Sequence, residues 1–338
     1  MTETAAPRMR APRTLQIHVT RKCNLACLHC YSRSGPEETD ALDPDALDAA
    51  LGDAAALGFG FVSLSGGEPF LYPHLERTLR RAKTLGLRTG VVTNGMFLDA
   101  RRLAPLAETL DICVVSLDGA PERHDRMRAN PRAFATMARK LPALRASGIP
   151  FGFLLTLSRE TVAEIDWAAD FAADQGAGLL QIHPLDAEGR ALDHPEIAGA
   201  APETGHAIAA ANAAADAQER LGGRLRIVVD YQPRRPGVAQ GCGRSPGFAD
   251  ATHPLSIEPD GTIAPMGHGF PRSLAVGRLG ERPLAEMAAE WMRDGRGAAY
   301  AALVARVRRA AAAEDAPPLA NIARDIRAAA RAPESSAA

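Results

Sequence analysis

The stretch LQIHVTRKCNLACLHCY, residues 15–31, joins a short predicted strand to three closely spaced cysteines. Residues 15–19 predict the strand, and Cys23, Cys27 and Cys30 follow with the spacing CxxxCxxC. The chain has 338 residues and five cysteines, three of them within eight positions. An odd, clustered set is a poor disulfide framework. The cluster therefore indicates a thiolate site in a reducing compartment, and we expect a cytoplasmic protein.

Outward from this stretch, predicted strands and helices alternate. Asp43 and Pro44 open the first helix, because a capping residue before proline is a typical helix start. Apolar strands separated by helices predict a parallel sheet covered by helices. The further strands are expected at residues 61–64, 88–93, 112–117, 151–157 and 179–183. Too few residues remain in this pattern for a closed eight-unit barrel. The expected fold class is α/β, a partial (βα)6 TIM-like barrel with a small α/β C-terminal extension.

The pattern also divides the chain. Residues 1–13 are polar and rich in proline and alanine, and we expect them to form a disordered arm. Residues 14–200 would form the barrel core and residues 201–313 the extension. The extension contains a predicted β-hairpin around the turn at 259–261. Residues 314–338 are expected to form a flexible tail.

Composition argues against several classes of function. There are 39 basic and 40 acidic residues, so the formal net charge is −1. A general nucleic-acid binder would need a basic excess, and we expect no nucleic-acid partner. No apolar run approaches the ~20 residues of a membrane span, and the N-terminal stretch has no apolar core of a signal peptide. We therefore expect no membrane partner.

Thiolates with close spacing bind zinc, copper or iron–sulfur clusters, and a structural zinc site usually closes with four ligands. Here the triplet stands alone, and zinc or simple packing stays an alternative. The triplet resembles the signature of the radical S-adenosylmethionine (SAM) superfamily. In that family three such cysteines hold a 4Fe–4S cluster, whose open iron binds SAM. One electron then yields methionine and a 5′-deoxyadenosyl radical, which abstracts a substrate hydrogen. The resemblance implies one 4Fe–4S cluster on Cys23, Cys27 and Cys30, SAM as cofactor, and a reducing partner such as flavodoxin or ferredoxin.

Segments after the next strands also resemble motifs of this family. Residues 65–69, SGGEP, resemble its GGEP motif, whose backbone and glutamate would cradle the amino group of SAM. The implied cofactor-binding residues are Tyr31, Gly66, Gly67, Glu68, Pro69, Asn94, Ser116, Arg128 and His183. Most lie where predicted strands end, at the functional face of a parallel sheet. For Arg128 a solvent-facing position is equally open, and Asp118 is expected only to form a turn with Gly119.

The C-terminal region resembles a degenerate form of the extension called SPASM or twitch, which holds auxiliary iron–sulfur clusters. The Gly241-Cys242-Gly243 segment and the hairpin are present, but Met266 follows Pro265 where the family has cysteine. A second cubane needs about four thiolates, and this region supplies one. We therefore expect no auxiliary cluster and an extension that closes the open edge of the sheet. Cys242 is either a packed relic or a catalytic hydrogen-atom donor.

The resemblance implies an enzyme that acts on a C–H bond. SPASM-like architecture points to modification of a ribosomal peptide or another natural product. Loss of the auxiliary clusters leaves a small-molecule epimerase, decarboxylase or dehydrogenase, acting on a sugar or nucleoside, as an alternative. A metal-binding or partner-binding protein that kept the barrel is the alternative outside enzymes. The complete CxxxCxxC and GGEP motifs argue against that last alternative.

Overall fold

The structure is a computed structural model that describes residues 12–233 and 247–331. Its strands are β1 Thr14–Thr20, β2 Phe61–Gly66, β3 Arg88–Thr93, β4 Ile112–Leu117, β5 Phe151–Leu157, β6 Leu179–Pro184, β7 Arg226–Val229, β8 Gln232–Pro233, β9 Leu255–Ile257, β10 Thr262–Pro265, β11 Gly277–Arg278 and β12 Leu319–Ala320. Ten of these strands form one sheet in the order β11-β10-β9-β1-β2-β3-β4-β5-β6-β7, and β12 pairs with β8.

The sheet is parallel from β1 to β7, and each strand pairs with its successor in the chain. On the other side of β1, β9 adds in parallel, and β10 and β11 continue antiparallel. The predicted α/β class and the partial barrel are confirmed by this order. The hairpin of β9 and β10 covers the edge of β1, as the sequence predicts for the extension.

Helices connect the parallel strands and continue into the extension. They are α1 Pro44–Ala56, α2 Leu75–Thr84, α3 Ala100–Leu103, α4 Pro121–Met127, α5 Ala133–Ala146, α6 Ile165–Asp174, α7 Pro195–Ala198, α8 Thr204–Arg220, α9 Phe248–Thr252, α10 Leu284–Arg293, α11 Arg296–Ala312 and α12 Ile322–Arg331. As predicted, α1 begins at Pro44, because the side chain of Asp43 accepts a hydrogen bond from the backbone N–H of Ala46 at 2.8 Å. In the part of the chain that the structure describes, every helix is too short or too polar to cross a bilayer.

The two faces of β1 differ in character, one apolar and packed in the core and the other polar. Leu15, Ile17 and Val19 are fully buried in the hydrophobic core. Alternate side chains of a strand point to opposite faces, so Gln16 and His18 lie on the inner face of the barrel. The hydroxyl of Ser256, on β9, lies 3.3 Å from the amide oxygen of Gln16 on that face. The inner face is therefore lined with polar groups.

The structure corrects one expectation about the chain ends. The flexible tail predicted over residues 314–338 is wrong for residues 319–331, which form β12 and α12. Ile326 of α12 is 1% exposed, and Arg331 forms an ion pair with Glu188 at 3.0 Å. An apolar anchor and charged contacts therefore fold a segment whose composition is typical of a tail. The predicted N-terminal arm lies almost wholly outside the described residues.

Candidate active site

The three clustered cysteines lie on the segment that leaves β1, here called the cysteine loop, residues 21–35. Cys23 is buried, Cys27 and Cys30 are partly exposed, and all three are free thiols. The backbone N–H of Cys30 donates to the carbonyl of Cys27 at 3.2 Å and closes a turn between them. Burial, together with the charge of Cys30, raises the pKa of Cys23 to about 11 and that of Cys27 to about 12. Thiolates at this place therefore need a cationic group to stabilise them.

Residues far along the chain hold the cysteine loop in shape. The guanidinium of Arg190 donates to the carbonyl of Cys27 at 2.8 Å, and its backbone N–H donates to the carbonyl of Cys30 at 2.9 Å. Its neighbour Gly189 has φ +57°, and a Cβ there would lie 2.1 Å from the carbonyl oxygen of Tyr31. Only glycine fits so close to the loop. Sequence reasoning missed both residues, since neither belongs to a recognisable motif.

The SGGEP segment packs against the start of the cysteine loop through its backbone. The N–H of Gly67 donates to the carbonyl of Thr20 at 2.6 Å, and that of Glu68 donates to the carbonyl of Lys22 at 2.9 Å. A Cβ on Gly67 would lie 2.2 Å from the Lys22 oxygen, and Gly66 has φ +121°. The glycines therefore allow two functional loops to join backbone to backbone.

Glu68 braces the SGGEP segment against the end of β3. Its fully buried carboxylate accepts hydrogen bonds from the hydroxyl of Thr93 at 2.8 Å, the N–H of Asn94 at 2.9 Å and the N–H of Phe70 at 3.1 Å. Burial raises the pKa of Glu68, although these bonds favour its charged form. The carboxylate thus binds the chain's own donors, and its predicted contact with the amino group of SAM stays a prediction. Pro69 is buried directly after it.

Asn94 connects the end of β3 to the cysteine loop. Its side-chain Nδ2 donates to Oδ1 of Asn24 at 2.7 Å and lies 3.9 Å from Sγ of Cys23. Its Oδ1 accepts from the N–H of Met96 at 3.0 Å. The structure therefore brings this predicted site residue beside the first cysteine.

Arg128 is buried beside the cysteine loop, so the solvent-facing alternative is excluded. Its Nε donates to Oδ2 of Asp118 at 2.6 Å. Asp118 also accepts from the hydroxyl of Thr156 at 2.6 Å, and Nε2 of His29 lies 3.3 Å from it. Although burial acts to raise it, the pKa of Asp118 lies well below its usual range because Arg128 and His29 face it. The expectation that Asp118 only forms a turn is wrong, since its carboxylate is the buried partner of a cation.

The donor set of this loop fits an iron–sulfur cluster. The charge of Arg128 lowers the pKa of both Cys23 and Cys27, against the effect of burial. Cys113 is fully buried in β4, where it pairs with Val91, so it belongs to the core. Three free thiols beside a buried guanidinium are suited to hold a cluster by thiolate ligation.

Three further predicted residues lie on the inner face, Ser116 and His183 at strand ends and Tyr31 on the cysteine loop. Ser116 is partly exposed near the end of β4, whereas its chain neighbours Val115 and Leu117 are fully buried in the core. His183 lies at the end of β6, with Nδ1 2.7 Å from Oδ2 of Asp230. The hydroxyl of Tyr31 lies 3.3 Å from Nε2 of His18. Their contacts with SAM stay predictions, and Cys242 lies outside the described residues.

Comparisons with known proteins agree with this geometry. The model of the Radical SAM superfamily matches residues 17–172. The PqqA peptide cyclase of Ruegeria pomeroyi is 31% identical over 268 residues, which cover 77% of this chain and 69% of the cyclase. The chain belongs to the radical SAM superfamily. Because relatives in this superfamily are enzymes, this radical SAM protein is an enzyme, and the alternative of a binding protein without activity is set aside.

Two other similarities define how far the relationship extends. The Fe-coproporphyrin III synthase of Methanosarcina barkeri is 30% identical over 175 residues, 51% of this radical SAM chain and 44% of the synthase. The chain thus spans less than half the length of that relative. The solved structure of anSMEcpe with bound AdoMet and a Cp18Cys peptide superposes with a TM-score of 0.65 at 15% identity, covering 94% of this chain and 95% of that one. At this identity the likeness shows the fold alone.

Proposed function

We propose that this enzyme holds one 4Fe–4S cluster on Cys23, Cys27 and Cys30, binds SAM beside it, and abstracts a hydrogen atom from a peptide. One observation supports this above all others: three free thiols share a loop that is joined to the SGGEP segment and to Asn94. Three thiolates leave one of four irons without a protein ligand. When bound, the cluster and SAM together supply a 5′-deoxyadenosyl radical and methionine.

The buried ion pair prepares the cysteine loop for anionic ligands. Arg128 lowers the pKa of the Cys23 and Cys27 thiols, which favours the thiolate forms that bind iron. Asp118 holds the Arg128 guanidinium in place through the 2.6 Å bond to Nε. We infer that the pair acts on cluster binding through charge and position, with no direct bond to iron.

The strand ends supply the groups that would hold SAM. In this proposal the backbone of Gly66 and Gly67 lies close to the amino group, and Glu68 keeps that backbone in position. Ser116 would contact the ribose, while Tyr31 and His183 would lie near the adenine. The Nε of Arg128 already binds Asp118. The other N–H groups of the Arg128 guanidinium would therefore contact the carboxylate of SAM.

A peptide is the substrate class that the similarities favour. The match with the peptide cyclase extends over 77% of this chain, whereas the match with the coproporphyrin synthase covers 51%. The structural neighbour with 94% coverage binds a peptide in the solved complex. The inner face offers the half-buried side chain of Gln16, whose amide NH2 can donate to the carbonyl groups of a peptide backbone.

The extension of the proposed enzyme has no auxiliary cluster. Its hairpin adds β9 to β1 and carries Met266 where the related motif has a cysteine. Cys242 is the sole cysteine of the sequence after residue 113. One thiol cannot hold a second cubane, which needs about four.

Anaerobic reconstitution tests this proposal. The wild-type chain should bind about four irons and four sulfides, and with dithionite it should convert SAM to 5′-deoxyadenosine, measured by mass spectrometry. Replacing Cys23, Cys27 and Cys30 together by alanine should abolish both cluster binding and the conversion of SAM. The control Cys113→Val keeps a buried apolar side chain of similar size and should retain both. Cluster binding by the triple variant, or about eight irons in the wild type, would contradict the proposal.

The substrate class needs a separate measurement. Short peptides encoded beside the gene, and a panel of nucleotide sugars and nucleosides, are each added to the reconstituted enzyme with SAM and dithionite. We expect a peptide to increase 5′-deoxyadenosine formation and to change in mass or deuterium content. If a sugar or nucleoside is turned over and none of the peptides is, the proposed substrate class is a small molecule and not a peptide.

A further inference from the structure

A second group of metal-binding side chains lies on the inner face, and none of the three cysteines belongs to it. It consists of His18 on β1, Glu258 directly after β9 and His268 after β10, here called the His18–Glu258–His268 cluster. Nδ1 of His18 lies 3.0 Å from Oε2 of Glu258, and Nδ1 of His268 lies 2.7 Å from the same oxygen. All the candidate ligand atoms lie within 4.8 Å of one another.

The fold itself brings these residues together from distant parts of the chain. β9 pairs in parallel with β1, with Ile257 opposite Ile17, so His18 and Glu258 are the next residues along two neighbouring strands. Beyond β10, Met266 and Gly267 adopt positive φ values of 64° and 92° and turn the chain back. This turn places His268 against Glu258. The cluster therefore depends on the addition of the hairpin to β1.

One carboxylate oxygen in the cluster has no partner. The Glu258 side chain is 10% exposed, and its Oε1 is buried with no hydrogen-bond partner among the described residues. A buried, unpaired carboxylate oxygen costs free energy. The His268 side chain is 32% exposed, so the cluster is accessible from one side. A ligand that enters there and binds Glu258 would remove this cost.

We propose that the His18–Glu258–His268 cluster binds a divalent transition-metal ion of the Zn²⁺ or Fe²⁺ class. Two imidazoles and one carboxylate are a typical ligand set for such ions. Donors about 2.1 Å from one ion are about 3.0 to 3.4 Å apart at angles between octahedral and tetrahedral. The 3.0 Å contact of His18 already meets this spacing, and the 2.7 Å contact of His268 must open by a few tenths of an ångström.

Neighbouring groups support a metal ion here. The hydroxyl of Tyr31 lies 3.3 Å from Nε2 of His18, the type of outer contact that orients a metal-binding imidazole. The nearby cation Arg327 forms ion pairs with Asp186 and Glu188, which offset its charge. The cluster thus combines one carboxylate with two imidazoles.

Such an ion would have a role distinct from that of the cysteine loop. With three protein ligands, a zinc-type ion keeps at least one position open for another donor. The open position would face the accessible side of the cluster, toward the inner face of the barrel. A carbonyl or carboxylate oxygen of the substrate is the donor that such an ion binds and polarises. This inference stands whether or not the substrate is a peptide.

Zinc content tests the inference on the reconstituted holoenzyme. The protein is equilibrated with Zn²⁺ under anaerobic conditions, separated from free ion, and analysed for zinc and iron by mass spectrometry. We expect one zinc per chain with the iron content unchanged. The variant with Cys23, Cys27 and Cys30 replaced by alanine should still bind one zinc. Loss of zinc in that variant would assign it to the cysteines and overturn the inference.

Single substitutions locate the zinc. His268→Asn and Glu258→Gln should each weaken zinc binding at least tenfold in equilibrium dialysis. His194→Asn is the matched control, because His194 has similar exposure and lies 3.6 Å from the carboxylate of Glu196, and among the described residues this pair belongs to no three-ligand group. Circular dichroism checks that each variant folds. If Glu258→Gln does not fold, His268→Asn alone tests the inference, because the His268 side chain lies partly exposed on a loop. Zinc affinity unchanged in His268→Asn, or absent in the wild type, would overturn the inference.

Discussion

Replacing Asp118 by asparagine tests the buried ion pair beside the cysteine loop. Asp118 is 1% exposed and accepts hydrogen bonds from Nε of Arg128 and from the hydroxyl of Thr156, both at 2.6 Å. Asparagine has almost the same shape but no charge, so Arg128 would remain as an uncompensated buried cation. We expect a large loss of stability without a change of volume.

The magnitude follows from the burial of both partners. Breaking a buried ion pair by removing one partner costs about 3–5 kcal/mol. Asparagine keeps one oxygen that can accept a hydrogen bond. We therefore expect the free energy of unfolding to fall by about 3 kcal/mol, the lower end of that range. For a urea dependence of about 3 kcal/mol per molar, the unfolding midpoint should fall by about 1 M.

Urea unfolding of the reduced, cluster-free chain measures this effect through the fluorescence of Trp167 and Trp291. The matched control is Asp193→Asn, which removes an exposed partner of Arg33 and should leave the midpoint unchanged. The pKa of Asp118 is lowered in the folded chain, so its stabilisation is present above the unfolded value and disappears as pH falls through the folded value. The difference in urea midpoint between the wild type and Asp118→Asn should therefore shrink below about pH 4. A midpoint shift as small as that of the control would refute the reasoning.

The remaining predictions concern three other positions. Gly189→Ala should lower iron content after reconstitution, because its Cβ would lie 2.1 Å from a carbonyl of the cysteine loop; Gly148→Ala, also at positive φ but with open space around it, should not. Glu68→Gln should keep the cluster but weaken SAM binding about tenfold in equilibrium dialysis, because an amide would face the N–H of Asn94; unchanged affinity would contradict this. Cys242→Ala should still form 5′-deoxyadenosine but fail to complete turnover, whereas wild-type product made in heavy water should carry one solvent deuterium; full product formation by the variant would exclude a hydrogen-donor role.

Much of the fold could be predicted because its signals are local. Apolar strands, helix starts such as Asp43–Pro44 and the glycines after helices lie within short windows of sequence, and they predict the order of β1 to β6. The hairpin is predicted by its turn residues. Its parallel pairing with β1 is a contact between residues about 240 positions apart, and no local pattern specifies that register.

The site could be predicted where residues form motifs and not where they form long-range contacts. The CxxxCxxC and SGGEP segments are short and specific. Arg190 holds the cysteine loop from about 160 positions away, and one arginine among many carries no sequence signal. Asp118 looks like a turn residue because Gly119 follows it, whereas its actual partner is the buried Arg128. His268 belongs to no recognisable motif of the sequence, and its contact with Glu258 depends on the folded turn after β10.

The electron paramagnetic resonance spectrum of the reconstituted, dithionite-reduced enzyme tests most directly whether the three cysteines hold a cluster with an open iron. We predict the spectrum of one reduced cluster in the wild type and a clear change on addition of SAM, because SAM binds the iron that lacks a thiolate. The variant without Cys23, Cys27 and Cys30 should show neither. A wild-type cluster spectrum that SAM leaves unchanged would contradict the proposed open iron.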